Sequence, residues 1–465
     1  MNPITIPNIS IPTIGIPTIG IPSVGFPSAS GGGGLSWPTG MKEHIKAWYD
    51  PKKQGMTNFD VIESYADDFT KWKIENTGVT STQKKIVIAA GTELKYNVAY
   101  KGFGNSIAEF DIKYTGNAVI RYHYNKEDGT VGIITINRSG IYHLPASIKA
   151  QKNFGFYCNP QTVTEEATIE QLPTSILKDF SGNGNHAYLY GGKGKLNSGM
   201  GVYQQDFSNV RGVTTVSANG FELFREGTGG TYLARISIGY WNNKECRLLF
   251  ETNNTSNLYY IRYRKANNDI VTSVRLHNGE NIIPAQDDLA DVSEVIFEGV
   301  LKDNEYIRVT EIPDYPDQLC YDGKMYAVAY DMPILTDYTV MAERTWFENR
   351  NIFLAKGNIT TEAKYAFIFE RFKPDGVMTV QSFGAWNDVV STTDSCISYL
   401  TKNKYNGIDI RSGIGADDDM LSIGGALNKG NIELTSVCCH GAIIIADRSF
   451  TEEEINWLKQ NWDKI

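Results

Sequence analysis

The sequence contains six histidines, His44, His123, His143, His186, His277 and His440, and no two fall at metal-ligand spacing on a helix-like stretch. Neither H-E-x-x-H nor G-x-S-x-G occurs, so the patterns of zinc peptidases and serine hydrolases are missing. Glycoside hydrolysis needs two carboxylates flanking the scissile bond, and the E-x-D-x-x-E arrangement that some glycosidases place on one strand is absent. GGKGKLNSG (191–199) lacks G-K-[ST] in a phosphate-loop setting and reads as a surface loop. The six cysteines include no C-x-x-C, and their only close pair is Cys438-Cys439, so they read as buried free thiols, in keeping with assembly in a reducing cytosol. No catalytic constellation emerges, and no cofactor motif.

Binding chemistry is better represented. Exposed aromatic rings hold sugar rings by stacking, and Tyr188, Tyr190, Trp386 and Tyr405 are candidates by residue type. Trp48, Trp457 and Trp462 read as core. In GIGADDDML, Asp417 and Asp419 could offer oxygen ligands to calcium, the one ion the sequence suggests. Three adjacent Asp residues on an extended chain cannot all face one ion, and the competing reading is a solvated acidic turn. A net charge of -9, with no basic block, excludes nucleic acid as an expected partner.

The elements that position these groups are strands. Tyr, Phe, Val and Thr recur in short alternating runs between Gly- and Asn-rich turns, which marks a mostly β chain. The clearest helix comes last: in RSFTEEEINWLKQNW, Thr451 and Glu454 form a capping box, and Ile455, Leu458 and Trp462 share one face. Two middle segments resemble each other. VIRYHYNKEDGTVGIITINRSGIYHLPAS leads on to ATIEQLP, and YIRYRKANNDIVTSVRLHNGENIIPAQ to IRVTEIP, so that Arg121, Pro145 and Pro173 recur as Arg262, Pro284 and Pro313. This reads as a duplicated β-sandwich module, occupying 63–173 and 206–314. The flanking pieces, 35–62, 174–205 and 315–465, then form one discontinuous parent domain.

The chain opens MNPITIPNISIPTIGIPTIGIPSVGFPSAS, repeating I-P-x-I-x every five residues. Proline holds each preceding residue extended and removes a backbone donor, so this tract is neither a helix nor an ordinary strand. It lacks the basic segment of a signal peptide and, broken by proline, cannot span a bilayer as a helix, so no membrane insertion is expected. At about 3.1 Å per residue it would reach roughly 75 Å. Such a rod cannot bury its own apolar side chains. Ile6, Pro7, Ile9, Ile11, Pro12, Ile14, Ile16, Pro17, Ile19, Ile21, Pro22, Val24 and Phe26 therefore read as a docking arm (1–27), with a Gly/Ser hinge at 28–34. The arm would lie in a groove on another protein or against copies of itself.

DFSGNGNHAYLYG, YTVMAERTW followed by IFLAKG and AFIFE, then MLSIGG and the closing GAIIIADRSFTEEEINWL together resemble concanavalin-like or laminin-G-like jelly rolls. That resemblance covers the parent domain. It implies a jelly-roll β-sandwich carrying the two inserted, mutually similar modules, and a sheet face that binds carbohydrate. WYDPKKQGMTN with sandwich insertions and a terminal jelly roll also resembles structural proteins of tailed phages of gut Bacteroidales, including the crAss-like group. This second resemblance implies a virion fibre or decoration protein, assembled in host cytoplasm and partnered by other virion proteins of head or tail. A homo-oligomer, plausibly a trimer, would shield the arm. The competing expectations are a jelly-roll glycoside hydrolase or depolymerase, and a bacterial surface adhesin.

Overall fold

A computed structural model describes residues 35–56, 63–149, 152–191, 197–198, 205, 207, 209–217, 219–227, 230–239, 241–287, 289–347, 351–359, 365–372, 377–389, 395–415 and 417–465. The docking arm, Ile6 to Phe26, lies outside the described residues. The chain is mostly β, built from antiparallel sheets that pair into sandwiches. Among the described residues no helix is long and apolar enough to cross a membrane.

Two eight-stranded sheets form the jelly roll. The first runs Asn197–Ser198, Leu319–Asp322, Val437–Ala446, Thr339–Trp346, Ser395–Thr401, Lys404–Tyr405, Ile408–Asp409, with Ile45–Tyr49 paired to Val437–Ala446. The second runs Ile176–Leu177, Ala187–Tyr190, Tyr326–Ala329, Leu421–Ile423, Ile352–Lys356, Phe367–Phe372, Met378–Ser382, Ala385–Val389. Strands before, between and after the two modules thus hydrogen-bond into the same two sheets.

VCCHGAIIIA (437–446) is apolar at nearly every position because both of its faces are covered. Cys438, Ile443 and Ile445 point into the sandwich, whereas Ala442 and Ile444 meet Ile455, Leu458 and Trp462 of the closing helix, Glu452–Asn461. That helix starts on the Thr451/Glu454 capping box. Arg448 forks onto Glu454, its Nη1 and Nη2 donating at 2.8 and 2.5 Å.

Each module is a separate sandwich with its own core, around Phe69, Tyr114 and Phe156 in the first and Phe207, Phe250 and Phe297 in the second. Setting aside the short Glu93–Leu94/Gln161–Thr162 pair, strands numbered in chain order within each module give identical topologies. The five-stranded sheet reads first, second, ninth, fourth, seventh in both, and the four-stranded sheet third, eighth, fifth, sixth. The motif match between the two segments therefore reflects one fold present twice.

The first module packs on the second sheet of the jelly roll. Tyr188 and Tyr190 project from Ala187–Tyr190 away from the core that holds Ala187 and Leu189. The Tyr188 hydroxyl donates to Asp111 Oδ2 at 2.8 Å, the Lys113 ammonium lies 4.7 Å from the Tyr330 ring centre, and Gly191 N donates to Glu63 Oε2 at 3.2 Å. Tyr190 stacks on Tyr326 at 5.3 Å and shares a 3.0 Å hydroxyl contact with Tyr330.

Candidate functional site

Among the described residues, no strand of either module lies against the opposite end of the same sheet. There Met378–Ser382 and Ala385–Val389 form a hairpin whose two turn residues, Phe383 and Gly384, both have positive φ (43° and 85°). That is the type I′ geometry matching the twist of the strands it joins. Met378, Val380 and Val389 enter the core, so Thr379, Gln381, Trp386 and Asp388 face outward. The register sets two rungs on this face: Ile368, Gln381 and Trp386, then Arg371, Thr379 and Asp388.

Arg371 reaches the outer face through a bulge. Between Ile368 and Arg371 the strand advances one residue more than its partner, and Glu370 takes φ 63°. The extra residue turns Glu370 into the core and Arg371 out beside Trp386, a re-aiming typical of bulges. Inside, Glu370 and Arg344 form a fully buried ion pair. The Trp346 indole N–H donates to Glu370 Oε2 at 3.2 Å, the Tyr405 hydroxyl to Oε1 at 2.8 Å, and Arg344 Nη2 to Ser398 Oγ at 3.4 Å. Satisfied from several sides, this buried cluster pins the backbone from which the outer face is built.

Trp386 is 38% exposed, the most exposed tryptophan among the described residues. The Arg371 guanidinium lies 5.4 Å from its ring centre, and Arg411 Nη2 donates to its carbonyl at 3.3 Å. Asn387 clamps the 408–412 segment along the edge, accepting from Arg411 N at 2.8 Å and donating to Arg411 O at 2.9 Å. Beside Trp386, Gln381 is 6% exposed and its Oε1 has no hydrogen-bond partner. A buried acceptor left unpaired carries a desolvation cost of about 1–3 kcal/mol. The face thus combines a partly exposed indole, two guanidinium groups with no carboxylate partner among the described residues, and a buried acceptor without a donor.

The other aromatic candidates lie elsewhere. Tyr405 is 1% exposed, and burial beside Glu370 holds its hydroxyl far above the usual phenol range. It is part of the core ion cluster and presents no ring to a ligand. Tyr188, 6% exposed, and Tyr190 are closed under the first module. Asp417 is likewise no solvated turn residue. Its side chain is fully buried, with Oδ2 accepting from Lys356 Nζ at 2.9 Å and Leu335 N at 2.8 Å, and the Asp418 carbonyl accepts from the same ammonium. Lysine occupies the place the calcium reading gave to a metal, while Asp419 is exposed and takes part through its backbone carbonyl, which accepts from Met332 N at 2.7 Å. Among the described residues no group of His, Cys, Asp and Glu could hold a metal ion.

A polar cleft of about 340 Å³ opens on the other sheet, beside the C-terminal end of the closing helix. Burial raises the Glu343 carboxyl there, but Oε1 accepts from Gln318 Nε2 at 3.0 Å and Oε2 from Trp462 Nε1 at 3.3 Å. Asp50, on its rim, caps the Pro51–Gln54 helix through Lys53 N. Glu343 and Asp50 are thus held in structural roles, and Asp317 and Asp463 complete the acidic lining of the cleft.

Sequence reasoning reached Trp386 by residue type and missed Arg371 and Gln381. The polar alternation of M-T-V-Q-S could have placed Gln381 outward.

No protein-family model matches the chain, and no curated protein matches it. Among solved structures, the sialidase of Trypanosoma rangeli in complex with sialic acid aligns at 10% identity and TM-score 0.24, covering 83% of this chain and 84% of that one. The same sialidase with a difluoro-KDN ligand aligns at 9% identity and TM-score 0.25, covering 86% of each chain. A triple jelly-roll protein of an archaeal virus turret aligns at 10% identity and TM-score 0.10, covering 90% and 99%. At TM-scores this low the likenesses carry no argument about this chain.

Proposed function

We propose that the chain is a virion structural protein, mounted on a phage particle by its I-P-x-I-x arm and displaying a jelly-roll body that binds carbohydrate at the Trp386 face. The observation that carries the binding role is the exposed Trp386 ring, flanked by Arg371 and by the unpaired, buried Oε1 of Gln381. A sugar ring has apolar C–H faces that stack on indole and hydroxyls that would donate to Gln381 Oε1 once that side chain, buried in the free protein, turns towards the ligand. Arg371 and Arg411 favour sugars bearing an acidic group. The mounting role rests on the apolar arm, whose proline period leaves it extended and without a core of its own.

Two experiments test the two halves separately. On a broad glycan array the full chain binds a subset rich in acidic sugars and Trp386→Ala binds none; equal binding by the two proteins contradicts the site. In infected cells, protein lacking residues 1–34 folds yet fails to join particles; normal incorporation contradicts the arm's role.

A further inference from the structure

Lys356 ends the strand Ile352–Lys356, and its ladder partner on the adjacent strand is Leu421, shortly after the A-D-D-D run that contains Asp417. The backbone around the two residues is pinned on several sides. Gly357 N donates to the Met420 carbonyl at 2.8 Å, Met332 N to the Asp419 carbonyl at 2.7 Å, and Leu335 N to Asp417 Oδ2 at 2.8 Å. Within this frame the Lys356 ammonium donates to Asp417 Oδ2 at 2.9 Å and to the Asp418 carbonyl. Both side chains are fully buried. The folded chain thus holds an amine and a carboxyl together in one fixed orientation, the condition under which two groups react as if at very high concentration.

As a plain ion pair the arrangement is poorly compensated. A buried pair offsets its desolvation only where further hydrogen bonds satisfy the remaining polar atoms, and Asp417 Oδ1 has no hydrogen-bond partner among the described residues. Burial also presses both groups towards their neutral forms. It lowers the Lys356 ammonium below its usual range, against the pull of Asp417, Asp418 and Asp419, and it raises the Asp417 carboxyl, against the pull of Lys356. A proton passed from the ammonium to the carboxylate leaves a free amine, which is a nucleophile, beside a carboxylic acid, which is its electrophile. The nitrogen that contacts Oδ2 is then one bond away from the Cγ it would attack.

We propose that Lys356 and Asp417 condense into an isopeptide bond, made by the folded chain without any other reagent. Nζ bonds to Cγ, and the Cγ–Oδ1 bond breaks. Oδ1 leaves as water with two of the ammonium hydrogens, while the third stays on the new amide. The negative charge that develops on Oδ2 during the attack is met by the Leu335 N–H, a donor already in place. The product carries no charge, so the burial that opposes the ion pair favours the amide. The bond ties the end of Ile352–Lys356 to the segment that leads into Leu421–Ile423, and it gives the run of aspartates a covalent role in place of a metal site or a solvated turn.

Mass spectrometry of the full chain, denatured and reduced, tests this. N-terminal processing aside, the wild-type chain should weigh one water less than its sequence, about 18 Da. Trypsin, which needs a free lysine or arginine side chain, should fail to cut after Lys356, and residues 351–364 should be recovered joined to residues 412–429. Lys356→Arg and Asp417→Ala should each restore the full mass and release the two peptides separately. A wild-type chain of full sequence mass overturns the proposal, and that readout does not depend on how either variant folds. A water loss that maps to other residues, or that persists in Lys356→Arg, overturns it as well.

Discussion

The second sheet of the jelly roll carries aromatic side chains on its outer face at both ends, and only one end is open. At the near end Tyr188, Tyr190, Tyr326 and Tyr330 form a stacked, hydrogen-bonded patch closed by Asp111 and Lys113 of the first module. At the far end Trp386 stands opposite Gln381 on the neighbouring strand with Arg371 beside it, and no described module strand lies above. The difference teaches that aromatic type does not make a ligand face. The Tyr188, Tyr190 and Tyr330 hydroxyls have found protein partners, whereas the far end retains an acceptor without one. A surface that pays an unsatisfied polar group to stay as it is has the character of a site rather than of a joint.

The largest effect expected from breaking this contrast lies beneath the open end. Glu370→Ala removes the buried carboxylate that pairs with Arg344 and should cost about 3–5 kcal/mol in denaturant unfolding. It should also abolish sugar binding, because the bulge that aims Arg371 loses its anchor. At the closed end, Tyr188→Phe removes the hydrogen bond to Asp111 and should cost about 1.5–3 kcal/mol. Limited proteolysis between the first module and the jelly roll should quicken, with binding untouched. Gln381→Met should separate stability from function: deleting the unpaired acceptor should stabilise the domain by about 1 kcal/mol while affinity falls at least tenfold. Trp386→Ala should cost about 1 kcal/mol, because the ring is partly packed on its neighbours although it reaches the surface.

The parts of this fold that were legible in sequence are those written in local patterns. The closing helix shows its capping box and its Ile455, Leu458, Trp462 face outright. The alternation of short β-rich runs gives the fold class, and the paired anchors Arg121/Arg262 and Pro145/Pro284 mark two copies of one strand order. The site was legible only as a residue type. Nothing near Tyr405 in the chain announces that its hydroxyl will meet Glu370, and nothing near Asp417 announces Lys356, since both pairings arise from distant strands meeting. The bulge at Glu370 is a property of register between two strands, so the outward turn of Arg371 cannot be read from either strand alone.

The most direct test of the binding claim is titration calorimetry of the full chain with an acidic oligosaccharide drawn from its array hits, alongside Trp386→Ala and Tyr188→Phe. The account predicts saturable binding by wild type, the same affinity for Tyr188→Phe, and no detectable binding by a fully folded Trp386→Ala. Unchanged affinity in Trp386→Ala, or binding lost in Tyr188→Phe instead, would contradict it.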